Sequence, residues 1–87
     1  MAKKERSEHA RNRGKEFGKR LRKVREQKDL SRNDLSKIAD IPVDTISSIE
    51  GGRILSPGLF IAADLVHALE GNLNEWVKNQ RRQKGEP

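Results

Sequence analysis

The sequence predicts an all-α domain built of five short helices. Apolar residues recur at three- and four-residue intervals through most of the chain, and recognisable helix starts and stops punctuate them. Nothing alternates with period two over the length of a strand. All large aliphatic residues and both phenylalanines lie between Phe17 and Val77, where they fill about a third of the positions. The average of 32% hydrophobic against 37% charged residues therefore describes a packed core with two polar ends, not a disordered chain.

Residues 1–13 lack apolar periodicity and read as a solvated arm or frayed helix. Gly14 and Gly18 weaken helix further, each by up to about 1 kcal/mol relative to Ala. From Phe17 a helical face begins, with Leu21 and Val24 at i+4 and i+7. Glu16–Arg20 and Arg22–Glu26 support its exposed side as i,i+4 opposite-charge pairs. Ser31-Arg32-Asn33-Asp34 resembles a capping box with Asp in place of Glu, and opens a second helix that buries Leu35, Ile38 and Ala39. Asp40-Ile41-Pro42 ends it, because a residue before proline is pushed out of the α region.

Pro42 suits the start of a third helix, which buries Ile46 and Ile49 and stops at Gly51-Gly52. Ser56-Pro57 is a further start signal, an N-cap hydroxyl followed by proline in the first turn. The stripe of the fourth helix is Leu59, Ala62, Leu65, Val66 and Leu69, and Gly71 ends it. Asn72-Leu73-Asn74-Glu75 reads as another capping box, opening a fifth helix that buries Leu73, Trp76 and Val77. The organisation follows: a basic, flexible arm over 1–14, one domain over 15–80, and a polar tail over 81–87.

Several function classes are disfavoured by inventory. Without cysteine there is no disulfide framework and no thiolate metal site. No apolar run approaches the ~18 residues of a membrane-spanning helix, and no hydrophobic stretch follows the basic N-terminus as in a signal peptide. His9 and His67 are too differently placed to suggest a catalytic or metal pair. The expectation is a cytoplasmic, nucleoid-associated protein with no enzymatic activity, no cofactor and no metal.

Net charge +6 points to a polyanionic partner, and its distribution sharpens the point. Residues 1–28 carry +8, residues 29–69 carry −3, and residues 70–87 carry +1. All of the excess positive charge belongs to the arm and the first helix.

The second and third helices, near 31–39 and 43–50 and joined by about four residues, have the spacing of a helix-turn-helix, with small Ala39 allowing close packing. The wider pattern resembles the lambda-repressor-like (XRE or Cro-type) helix-turn-helix family over residues 17–77. The residues that carry the resemblance are Leu21 and Arg25, Leu30-Ser31 and Leu35, Ala39, and Thr45 to Glu50. Gly52, Pro57, Ala68-Leu69 and Leu73 continue the same spacing.

That resemblance implies double-stranded DNA as partner and assigns roles by position. Arg32 falls where the family has a polar phosphate-binding residue, and Val43, Asp44, Ser47 and Ser48 fall where it reads bases. Arg25 and Glu50 correspond to a structural ion pair between the first and third helices. Arg53 lies where a loop approaches phosphate, and Lys15, Lys19 and Arg22 extend the positive field into the first helix. Lys3, Lys4, Arg6, Arg11 and Arg13 form either an arm along the DNA or a solubilising tail.

The third helix departs from the pattern, for it has no Lys, Arg, Gln or Asn and carries Asp44 in its first turn. Asp44 either complements the helix dipole, or accepts from a cytosine amino group while Val43 meets a thymine methyl. The remaining possibility is that this helix does not read DNA. Leu55, Phe60, Ile61 and Trp76 form a second surplus, as core edge or as a homodimer contact. The alternative to a DNA-binding repressor is a protein-interaction module on the same fold, such as an antitoxin or anti-repressor partner.

Overall fold

The computed structural model describes the backbone of residues 2–76 and side chains from Glu8 onward. Its elements are α1 (Ala2–Gln27), α2 (Arg32–Ala39), α3 (Val43–Glu50) and α4 (Leu59–Ala68). A further helical segment, α5, occupies 73–76. The protein is thus all-α, with no strand among the described residues. The placements expected for Val77, for the side chains of Lys3, Lys4 and Arg6, and for the 81–87 tail lie outside the described residues.

α1 begins at Ala2 instead of near Phe17, where the apolar face starts. It is continuous through Gly14 and Gly18, both of which are buried. A methyl group at Gly14 would overlap the Leu55 carbonyl oxygen and lie 2.8 Å from Leu55 Cα. At Gly18 it would overlap the Ile49 carbonyl oxygen and lie 3.2 Å from the Ile49 carbonyl carbon. These glycines, read from sequence as weak points, are the places where α1 presses against backbone at the end of α3 and in the following loop.

The capping box of α2 is complete. Ser31 Oγ accepts from the Asp34 backbone N–H at 3.0 Å, and Asp34 accepts from the Ser31 N–H at 2.9 Å. α2 closes on Asp40 in the left-handed region, at φ 61°. Ser36 then ties the turn by donating its hydroxyl to the Ile41 carbonyl at 2.6 Å. Ile41 is buried and plugs the turn into the core.

Ile38, expected inside, is 57% exposed. The inward face of α2 runs through Arg32, Leu35 and Ala39, which leaves Ile38 about 60° off Leu35 on the outer side.

α4 starts later than Ser56-Pro57 suggests, at Leu59, with Gly58 as N-cap at φ 92° and ψ 154°. That backbone region is open essentially to glycine alone. The later start leaves Leu59, expected on the core stripe, at the helix mouth and 66% exposed. The left-handed residue after α4 is Glu70, φ 61°, not Gly71. Gly71 has a different duty, since a methyl there would lie 3.0 Å from the Trp76 indole nitrogen and 3.1 Å from Val66 Cγ1. At the start of α5, Asn72 Oδ1 accepts from the Glu75 backbone N–H at 3.2 Å, so the Asn72 half of that box is present.

The core gathers Phe17 and Leu21 of α1, Leu35, Ile41, Ile46 and Ile49 of the helix pair, and Leu65, Val66, Leu69 and Trp76. Trp76 belongs here, not on a surface seam: it is 4% exposed, and its ring stands 5.6 Å from that of Phe17. The Arg20 guanidinium covers the indole at 5.0 Å. α3 packs against both α1 and α2, and α2 also packs against α4. α3 is therefore braced from two sides while its remaining face stays open.

Candidate nucleic-acid interface

The candidate site is organised around one buried carboxylate. Glu50, the last residue of α3, has no exposed side-chain surface. Arg25 of α1 donates to it through Nε at 2.7 Å and Nη2 at 3.0 Å. Arg25 also donates Nη1 to the Leu30 carbonyl at 2.7 Å, fixing the start of the path into α2. Its hydrogen bonds to Glu50 raise the Arg25 pKa above the ordinary arginine value, with burial opposing. The Arg25–Glu50 pair expected from the resemblance is present as a bidentate contact between α1 and α3.

A third donor was not anticipated. Arg32, the first residue of α2, donates Nε to Glu50 Oε1 at 2.9 Å. Three helices are thus pinned at a single carboxylate. An 18-residue separation with no periodic relation hides this contact from sequence reading.

Arg32 and Arg25 also line an open cleft of ≈ 390 Å³ between the N-terminal ends of α2 and α3. Ser31, Asn33, Val43, Asp44 and Ser47 also line it. Of the four residues assigned to base readout, Val43, Asp44 and Ser47 therefore share this opening beside Arg32. Asp44 is exposed, while Val43 and Ser47 are half-buried. Ser48 stands apart, because its hydroxyl accepts from Arg53 Nη2 at 3.1 Å.

Exposed cations lie on the turn after α3 and along α1. Arg53 is exposed in the turn after α3. Lys15 Cγ approaches the same turn, 3.9 Å from where a methyl at Gly52 would stand. Lys19 and Arg22 are exposed further along α1, and Arg22 pairs with Glu26 at 3.1 Å. Arg11 and Arg13 are exposed on the N-terminal part of α1. Lys15, expected with Lys19 and Arg22 to extend the positive field of α1, is thus carried to this turn by the packing of α1.

Among the described residues, no three His, Asp or Glu side chains gather as a metal site, and no helix is long and apolar enough to cross a membrane. The four residues expected at the core edge or a homodimer contact divide. Phe60 is 81% exposed, Leu55 and Ile61 are half-buried, and Trp76 is internal.

A bipartite α2–turn–α3 unit with an open α3 face, braced through Arg25–Glu50 and with Arg53 and Lys15 at the turn after α3, defines a helix-turn-helix protein. The family model described as a helix-turn-helix domain matches residues 16–75, and the chain belongs to that family, in keeping with the lambda-repressor-like class. A search of the curated proteins and a search of the solved structures found no match. Membership points to a DNA-binding regulator, in a family that is typically non-enzymatic.

Proposed function

We propose that the protein is a sequence-specific DNA-binding transcriptional regulator acting as a repressor, with α3 entering the major groove. The observation that carries this reading is the cleft where Val43, Asp44 and Ser47 of α3 open beside Arg32. Phosphate contacts come from Arg32, Arg53, Lys15, Lys19 and Arg22, with the basic N-terminal segment reaching further along the DNA. Asp44 accepts from a cytosine amino group, Val43 meets a thymine methyl, and Ser47 adds a hydroxyl contact. The protein acts as a homodimer on two half-sites about one DNA turn apart, joined across the exposed Phe60 and its neighbours Leu55 and Ile61.

The test is affinity for a selected site and for random duplex across a salt series. Neutralising about six phosphates gives a slope of log K against log salt near −5. Arg32→Ala weakens both duplexes alike, whereas Ser47→Ala and Asp44→Asn reduce the difference between them. A salt-insensitive affinity refutes the electrostatic account. The second reading, a protein-interaction module, is favoured by the acidic Asp44 on α3 and by exposed Phe60 and Leu59. It prevails if the protein binds a protein partner while no duplex is bound.

A further inference from the structure

We propose that Glu50 is a positioning residue for DNA binding, holding the Arg32 guanidinium by Nε so that both Nη groups are presented to one backbone phosphate. The inference rests on the DNA-binding reading above, and concerns how its first phosphate contact is made.

The geometry separates two duties of one carboxylate. Arg25 already supplies Glu50 with a bidentate partner of opposite charge, at 2.7 and 3.0 Å, and is itself buried. Neutralising Glu50 therefore needs no second arginine. Arg32 nonetheless donates Nε to Oε1 at 2.9 Å, with its side chain 40% exposed. The hydrogen bonds among the described residues engage Arg32 through Nε alone. A guanidinium is a planar fork of five N–H donors, so fixing Nε sets the plane and leaves the four Nη donors for another acceptor.

The electrostatics favour an anion at that place. Glu26 also lies 3.9 Å from Arg25 and pairs with Arg22, so Arg22, Arg25 and Arg32 against Glu26 and Glu50 leave a net positive charge, with Arg32 at the first residue of α2, the positive end of the helix dipole. Asp34, in the same turn, is occupied by the capping box. Asp44 of α3 lines the same cleft and repels an anion, so a phosphate is favoured beside Arg32 of α2. The cleft is open, as a phosphate on a continuous DNA strand requires.

An ammonium in place of the guanidinium has one nitrogen and no fork. It can reach Glu50 or a phosphate, but cannot serve both with fixed geometry. Arg32→Lys therefore separates this proposal from a simple charge effect, and Arg32 is exposed enough for the fold to tolerate it.

The experiment measures affinity of the full chain for a short random-sequence DNA duplex, where phosphate contacts dominate. Arg32→Ala, Arg32→Lys and the wild type are compared over a salt series. Losing one charge-assisted bidentate contact lowers affinity about 10-fold for each bound protomer in Arg32→Ala. Arg32→Lys is expected within about 2-fold of Arg32→Ala, although it keeps the charge. Glu50→Gln is expected to weaken binding in the wild-type background and to add nothing to Arg32→Ala.

Because Glu50→Gln risks unfolding the protein, the arginine Nε–H resonances give an independent readout. The Arg32 Nε–H signal is expected to exchange slowly with solvent in the free protein, and to remain slow when duplex is bound. Arg32→Lys binding like the wild type overturns the proposal and leaves the DNA reading intact. Loss of the slow Nε–H signal on adding duplex also overturns it, since Glu50 would then be a competitor for Arg32. A wild type that binds no duplex at low salt overturns both.

Discussion

Replacing Gly18 by alanine tests the packing of the domain, because local propensity and tertiary geometry predict opposite signs. Alanine in a helix interior is favoured over glycine by about 1 kcal/mol. In this fold the added methyl overlaps the Ile49 carbonyl oxygen, with Glu50 Cα only 3.4 Å away. All of these neighbours are backbone, so no side-chain rotation relieves the clash. Carbon–oxygen contacts settle near about 3.3–3.6 Å, so α1 and α3 must part by about 1 Å.

Two turns further along α1 that movement reaches Arg25. Its bonds to Glu50, now 2.7 and 3.0 Å, would lengthen to or beyond hydrogen-bonding range. Overpacking alone costs about 1–3 kcal/mol, and losing one partner of a buried ion pair costs about 3–5. A stretched pair forfeits part of the latter. After the propensity gain is subtracted, the net destabilisation is about 2–4 kcal/mol, or a melting temperature lower by about 10–30 °C for a domain of this size. Far-UV circular dichroism during thermal and urea unfolding reads it directly. Gly14→Ala, which meets Leu55, should follow the same direction. A Gly18→Ala protein as stable as the wild type, or more so, would refute the close approach of α1 to α3.

Three other outcomes are expected. Glu70→Gly relieves a left-handed residue at φ 61° whose ion pair with Lys28, at 3.6 Å, is solvent-exposed; urea unfolding should show a gain of about 1 kcal/mol, and a loss would contradict the backbone argument. The Ser31 backbone N–H, and next its hydroxyl, hold Asp34 below the ordinary carboxylate pKa. That contribution is therefore fully present above about pH 3.9 and is lost as pH falls through the depressed folded value. Asp34→Ala should flatten the acid limb of stability against pH, and an unchanged limb would dissociate the cap from acid unfolding. Phe60→Glu should abolish self-association in sedimentation or light scattering while stability moves by less than about 0.5 kcal/mol, since the ring is 81% exposed; an unaltered dimer would place the contact elsewhere.

The helix types, the α2 capping box, and the α2–turn–α3 pair with its Arg25–Glu50 link were legible in sequence because each depends on short-range spacing or on a pattern of widely shared positions. Leu21, Leu35, Ile46, Ile49, Leu65 and Val66 are core residues on both readings. The errors were at helix mouths and on narrow faces. Leu59 and Ile38 fit an apolar period, yet each points outward, because periodicity gives a face without saying which part of it meets another helix. At the end of α4 the left-handed backbone fell to Glu70, while Gly71 made room for Trp76.

By itself, then, the chain determined a small all-α domain, basic at one end, with a helix-turn-helix at its centre. Only the tertiary structure decided that Gly14 and Gly18 are contact points, that Trp76 packs between Phe17 and Gly71, and that Arg32 shares Glu50 with Arg25. The physical reason is common to all three. Helical hydrogen bonds and caps act within a few residues, whereas steric fit and the sharing of a buried carboxylate join residues that are neighbours in space alone.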